Sequence, residues 1–247
     1  WIERQVFREA DLAFPLSENA GRILNQRGYQ GDTVPFPNGV DLRLFQKMNV
    51  DLLKESLGLD GTFVVGYLGR LVHSKGLDTL FEAAAQLDFE FRLLVVGRGV
   101  YKTALLQIAE KLGITEKIIW IDGMLPEKVP QFINCMDAVV LPSRATRDWV
   151  EFFGRVLIEG MACEVPVIGS DSGEIPHVIG NAGLIFPEND AGALAECIGR
   201  ISRHLSLSCQ LVNQGLERVK EFAWETIANR TYSVYKDILK KPSIKSD

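Results

Sequence analysis

Two acids, Glu151 and Glu159, stand eight positions apart in the mostly apolar stretch EFFGRVLIEGMACEVPVIG. Val156, Leu157, Ile158, Met161 and Ala162 surround Glu159, where an ionised carboxylate left without partners would be costly. Gly154 reads as the start of a helix, so the N–H groups of the first turn lack intrahelical partners and that end carries partial positive charge. Such an end seats a phosphate. Glu159 falls about 7–8 Å further along the axis, and its side chain leans back toward the helix start. Glu151 lies ahead of the helix and approaches the same ligand from the other side. A nucleotide sugar fits this layout, with its diphosphate on the helix end, ribose hydroxyls near Glu159 and sugar hydroxyls near Glu151, since carboxylates accept from neutral donors. The competing reading makes Glu159 a structural partner of an arginine and Glu151 a solvent-facing loop residue.

Cations come from a second place in the chain. In GRLVHSKG, residues 69–76, Arg70 and Lys75 project from one short loop after a strand. Arg offers a planar fork and Lys a point charge, a pair suited to clamping a diphosphate, although two solvated loop cations would look the same in sequence. The turn VGRGV, residues 96–100, is G-x-G, but Lys102 holds the third-glycine position of the dinucleotide fingerprint. No G-K-[ST] phosphate loop occurs either. Both observations argue against a nicotinamide enzyme and a P-loop ATPase.

The elements that must position these residues are legible from residue 62 onward. Short β-branched runs at 63–68, 91–96, 117–121, 138–141, 165–169 and 184–186 alternate with helical periodicity at 77–87, 101–112, 126–136, 154–163 and 191–205. Alternation of this kind predicts an α/β fold, a Rossmann-like doubly wound parallel sheet that binds ligands at the carboxyl ends of its strands. Most of the strand runs are continuously apolar, as a sheet covered on both faces requires. Residues 1–36 carry too few apolar side chains for a core and read as the tail of a preceding domain, with a strand at 12–16, a helix at 19–26 and a strand near Val34. Pro37, Asn38 and Gly39 punctuate a linker. Residues 37–225 then form the ligand-binding domain, and 226–247 a C-terminal helix and tail that packs back on residues 1–36.

Composition bounds the function. The chain has 247 residues, 47% of them hydrophobic and 24% charged, which suits a folded globular protein. A net charge of −5 argues against a nucleic-acid partner, so any anion site must be a local concentration of positive charge. No apolar run is long enough to cross a bilayer, and no secretory signal precedes the first strand, which predicts a soluble cytoplasmic protein. Cys135, Cys163, Cys197 and Cys209 show no C-x-x-C pair and read as buried thiols. His73, His177 and His204 are too scattered for a metal cluster, and the site is expected to work without metal or cofactor. A chain that starts at Trp1 reads as a piece of something longer.

Taken together, FPNGVDLRLF, GYLGRLVHSKGLDTL, LLVVGRG, VVLPSR and EFFGRVLIEGMACEVPVIGSDSGEIPHVIG resemble the donor-binding half of the family 4 retaining glycosyltransferases, which have the GT-B fold. The resemblance runs from Pro37 to about Tyr235. It implies that Glu151 and Glu159 hold donor sugar and ribose, that Gly69, Arg70 and Lys75 hold the diphosphate, and that Phe153, Gly154 and Arg155 face sugar and phosphate through their backbone amides. Residues 123–125, with Met124 and Leu125, would line the base. Arg70, Lys75 and Glu151 become the residues placed for catalysis. The implied reaction is metal-independent transfer, with retention, from a UDP- or GDP-sugar to a glycan or lipid-linked acceptor, in polysaccharide or glycoconjugate synthesis. The acceptor would be held by an N-terminal domain, and the longer protein would work in the cytoplasm or at the inner membrane face. A nucleotide-sugar epimerase of the same architecture and a non-catalytic nucleotide-binding module are the alternatives. The chain departs from the family's G-G-x-P-E loop at Gly173, Glu174, Ile175, Pro176 and His177, and carries Glu164 where the family has glycine.

Overall fold

The computed structural model describes residues 2–240; Trp1 and the end of the C-terminal tail, 241–247, lie outside the described residues. A short parallel pair, β1 (Leu12–Ala13) and β2 (Asp32–Thr33), precedes the main sheet. That sheet contains β3 (Phe63–Leu68), β4 (Phe91–Val96), β5 (Ile118–Ile121), β6 (Ala138–Leu141), β7 (Val167–Ser170) and β8 (Gly183–Phe186). All its pairings are parallel, in the order β5-β4-β3-β6-β7-β8. The chain winds outward from β3 to β5, crosses back to β6 and winds outward again to β8. The direction of winding therefore reverses between β3 and β6, and at such a point the carboxyl-end loops diverge and leave a crevice.

Alternation along each strand builds two cores. Val64, Leu94 and Val139 face one layer, where they meet Leu157, Ile158 and Met161 of the helix Arg155–Ala162 and Ile133 of the helix Val129–Asn134. Val65, Leu93, Val95 and Val140 face the other, against Leu80 and Phe81 of Leu77–Ala84, Leu105 of Lys102–Leu112, and Leu194 and Ile198 of Ala191–Arg203. Because both faces are covered, successive residues are all apolar, and the strands lose the in–out polarity of a half-exposed sheet.

The C-terminal helix, Trp224–Lys240, returns across the N-terminal segment. Val40 N–H donates to Phe222 O at 2.9 Å and Trp224 N–H to Val40 O at 3.3 Å. Further along, the Phe14 ring meets Tyr235 edge-on with centroids 5.7 Å apart. A Cβ on Gly39 would lie 2.5 Å from the Trp224 ring, so this linker position has room only for glycine. No helix among the described residues is long and apolar enough to cross a membrane.

Several boundaries differ from expectation for local reasons. The strand expected at 165–169 begins at Val167, because the Val165 N–H closes the preceding helix onto Gly160 O at 3.0 Å and Pro166 has no N–H to give. The helix expected at 126–136 is a 3-10 turn, Pro126–Lys128, followed by Val129–Asn134. Helices Ile2–Glu9, Asp51–Ser56, Ile175–Ile179 and Leu205–Val219 were not anticipated. Cys209 lies on the solvent face of Leu205–Val219 and is exposed, which corrects the expectation of four buried thiols; Cys135, Cys163 and Cys197 are buried.

Glu164 occupies the left-handed position after the helix Arg155–Ala162, at φ 59°, with its N–H donating to Met161 O at 3.1 Å. A side chain there costs roughly 1–2 kcal/mol, while glycine returns up to about 1 kcal/mol of that through the entropy of the unfolded chain. Glu164→Gly is therefore expected to raise the urea midpoint, by the equivalent of a few tenths to about 1 kcal/mol. A lowered midpoint would refute the strain.

Candidate functional site

A crevice of about 740 Å³ opens at the carboxyl ends of β3, β4, β5 and β6. Its walls come from the loops after these strands and from the start of the helix Arg155–Ala162. Gly154 precedes that helix at φ 82°, and no side chain caps the end. A Cβ on Gly154 would sit 2.6 Å from Leu141 Cδ2, so only glycine brings the helix start this close to β6. The result is an uncapped amino end turned into the crevice.

Lys75 ends a 3-10 turn, His73–Lys75, which Gly76 closes at φ 68°. A Cβ on Gly76 would meet Pro142 O at 1.9 Å, so the turn rests directly on the chain leaving β6. Arg144 holds it there. Its N–H donates to Ser74 O at 2.9 Å and its guanidinium to Thr79 Oγ1 at 2.9 Å, and the same guanidinium pairs with Asp78. Lys75 Nζ then reaches Glu151 Oε2, and lies 4.9 Å from the centroid of the Trp149 ring. Ser143 Oγ donates to the same carboxylate oxygen at 2.9 Å. Glu151 is 8% exposed, so the ammonium and the hydroxyl together compensate a charge largely withdrawn from water. Its backbone carbonyl accepts from Glu174 N–H at 3.0 Å, which ties the loop after β7 to the site.

Glu159 is 7% exposed and takes Arg155 Nε at 2.8 Å, one turn back on the same helix. Burial pushes its carboxyl above the usual carboxylate range, and Arg155 pulls it partly back. The Arg70 guanidinium, by contrast, is exposed and pairs with none of the described residues; its carbonyl accepts from the buried Tyr67 hydroxyl at 2.8 Å, which fixes the backbone beneath it. Arg70, Lys75, Arg98 and Arg155 line the crevice with only Glu151 and Glu159 against them. A local excess of two positive charges in a chain of net −5 makes this a place where an anion is favoured.

Residues 49–217 match the family described as glycosyl transferases group 1. The chain belongs to that family. It is 30% identical to a D-inositol 3-phosphate glycosyltransferase of Rhodococcus erythropolis, over 95% of this chain and 55% of that protein. The chain thus spans about half the length of the curated relatives it matches. Among solved structures, sucrose-phosphate synthase from Thermosynechococcus elongatus superposes with a TM-score of 0.84 at 28% identity, covering 98% of this chain and 61% of that one. Anabaena HepE, solved in complex with UDP-glucose, gives a TM-score of 0.86 at 23% identity, over 95% and 66% of the two chains. The doubly wound sheet is accordingly the fold of one half of the GT-B glycosyltransferases.

For this group 1 member, Gly69, Arg70, Lys75, Met124, Glu151, Phe153, Gly154, Arg155 and Glu159 all line the one crevice. Leu125 does not: it is 69% exposed outside the lining. Pro126 follows it and holds it in an extended conformation, at φ −66° and ψ 142°. Lys75 and Glu151, expected to address different parts of a ligand, bond each other, which gives the buried carboxylate an ionic partner. The pairing of Glu159 with an arginine, the competing reading of the sequence, is also present, and the arginine is Arg155. Sequence reasoning passed over Ser143, Arg144, Trp149 and Arg98. Arg98 lies in GRG and Ser143 and Arg144 close VVLPSR, both motifs of the resemblance, but the partners of Ser143 and Arg144, like those of Trp149, are fixed only through tertiary contact.

The raised carboxyl of Glu159 has a consequence for stability. The folded chain holds this proton more tightly than the unfolded chain does, so the contribution of this carboxyl to stability is greatest below the ordinary carboxyl range and falls as pH rises through the folded value. Glu159→Gln is expected to flatten this slope and to melt above the parent at neutral pH, with the two converging in acid. Melting curves from pH 4 to 8 check it, and a variant that melts lower throughout refutes it.

Proposed function

We propose that the chain is the donor-binding part of a retaining glycosyltransferase that moves a sugar from a UDP- or GDP-sugar to a glycan or lipid-linked acceptor. One observation carries this reading: an uncapped helix end, an arginine with no partner among the described residues, a lysine and two buried carboxylates converge on one crevice at the reversal of the sheet. The diphosphate would lie against the helix start and Arg70, the ribose near Glu159, the base toward Gly123 and Met124, and the sugar near Glu151. HepE, which shares this fold, is a protein crystallised with UDP-glucose, and the Rhodococcus relative is named for transfer of a glycosyl group; both support the substrate class.

In this arrangement charge builds on the leaving diphosphate as the glycosidic bond breaks. Arg70, Lys75 and the helix start stabilise it from fixed positions, which lowers the barrier without rearrangement. The positive charge comes from the protein, and no metal is assigned to the step. For retention, the acceptor oxygen attacks from the face the leaving group departs, and a phosphate oxygen takes its proton. Glu151 then orients the sugar and is not a nucleophile, unlike the paired acids of a glycosidase. Acceptor binding is assigned to the part of a longer protein that the relatives possess beyond this match.

A melting-shift screen over UDP- and GDP-sugars tests the reading. A ligand at a hundredfold excess over its Kd adds about 2.7 kcal/mol, or roughly 5–10 °C for a domain of this size. Arg70→Ala should weaken nucleoside diphosphate binding about tenfold or more, as expected for a lost charge-assisted contact. Absence of any shift across the panel at millimolar ligand would refute donor binding.

A further inference from the structure

Glu151 offers its two oxygens to different surroundings. Oε2 takes both Lys75 Nζ and Ser143 Oγ, while Oε1 accepts from none of the described residues although the side chain lines the crevice. Lys75 has the Glu151 carboxylate as its only ionic partner among the described residues, with the Trp149 face beside it. The site thus pairs its least exposed cation with its own acid. Arg155 is similarly engaged with Glu159, but its side chain is 64% exposed against 14% for Lys75, so its pairing is screened by water.

Resting on the donor-binding reading, we propose that the Lys75–Glu151 pair is exchanged on binding, and that this exchange makes the site prefer a diphosphate carrying a sugar over a bare nucleoside diphosphate. A diphosphate attracts Lys75 more strongly than one carboxylate does, since it presents more charge and more acceptor oxygens. Once Lys75 turns to it, Glu151 keeps only the Ser143 hydroxyl, and a nearly buried carboxylate stands beside a new anion. Sugar hydroxyls repair this loss by donating to Oε1 and Oε2. A bare nucleoside diphosphate has no such donors, and its binding carries the whole penalty. Glu151 is then a specificity-determining residue that disfavours the leaving product as well as orienting the sugar.

Calorimetric titration of the parent chain and of Glu151→Gln with UDP, UDP-glucose, GDP and GDP-mannose tests the exchange. Glutamine keeps the shape and releases Lys75, so affinity for the nucleoside diphosphate should rise about tenfold, the scale of one charge-assisted bond, and the preference for the sugar-bearing ligand should shrink. In a Lys75→Met background the same substitution should give a clearly smaller gain, since only the direct repulsion between Glu151 and the bound anion is left to relieve. Unchanged or weaker binding in Glu151→Gln, or a gain undiminished without Lys75, overturns the exchange while leaving donor binding intact. Failure of the parent to bind any of the four overturns both. A crystal structure of the parent chain with its nucleoside diphosphate serves if the variants do not fold: Lys75 Nζ on a phosphate oxygen and away from Glu151 supports the proposal, and an intact pair refutes it.

Discussion

A lysine and a glutamate withdrawn from water together set the terms for this crevice. Neither charge is tolerable alone at that depth, so the loops that carry them must arrive in register. Lys75 belongs to the loop after β3 and Glu151 to the loop after β6, two strands that are neighbours in the sheet although more than seventy residues separate the partners. Arg144 secures that register through Ser74, Asp78 and Thr79, and Gly76 allows the turn to sit against Pro142 O. The geometry of the site is thus a property of the β3–β6 junction.

The same junction explains why an acidic chain can favour an anion. The sheet places the loops of β3 and β4 and the helix after β6 around one opening, which gathers Arg70, Lys75, Arg98 and Arg155 while most of the acids remain elsewhere. Each cation differs in readiness. Arg70 has no partner among the described residues, Arg155 shares an exposed contact with Glu159, and Lys75 is engaged with Glu151. Burial of Glu159 carries a cost, visible in its raised carboxyl, and such cost is ordinary at sites shaped for a ligand.

Second-layer residues lay beyond a linear reading. Ser143 and Trp149 look like any loop serine and tryptophan until the fold brings them to Glu151 and Lys75. Leu125, which the family resemblance places beside the base, is exposed outside the crevice lining, in the extended conformation that a following proline favours. Helix Leu205–Val219 escaped notice because its buried residues, Leu211, Gly215 and Val219, are few and spaced among polar ones. In each case a contact distant in sequence, or a steric effect of one neighbour, outweighed the local pattern.

By itself the sequence determined the alternation of strands and helices, the continuous apolar character of a sheet covered on both faces, and the pairing of Glu151 with Glu159 about one helix start. These follow from periodicity and from backbone groups that must be satisfied locally, so short-range order suffices to reveal them. Only the tertiary structure decided which charges neutralise which, that Lys75 bonds Glu151 and Arg155 bonds Glu159, and that Arg70 pairs with none of the described residues. Ion pairing depends on distance and desolvation between segments far apart in the chain, and those quantities exist only once the sheet has brought the loops together.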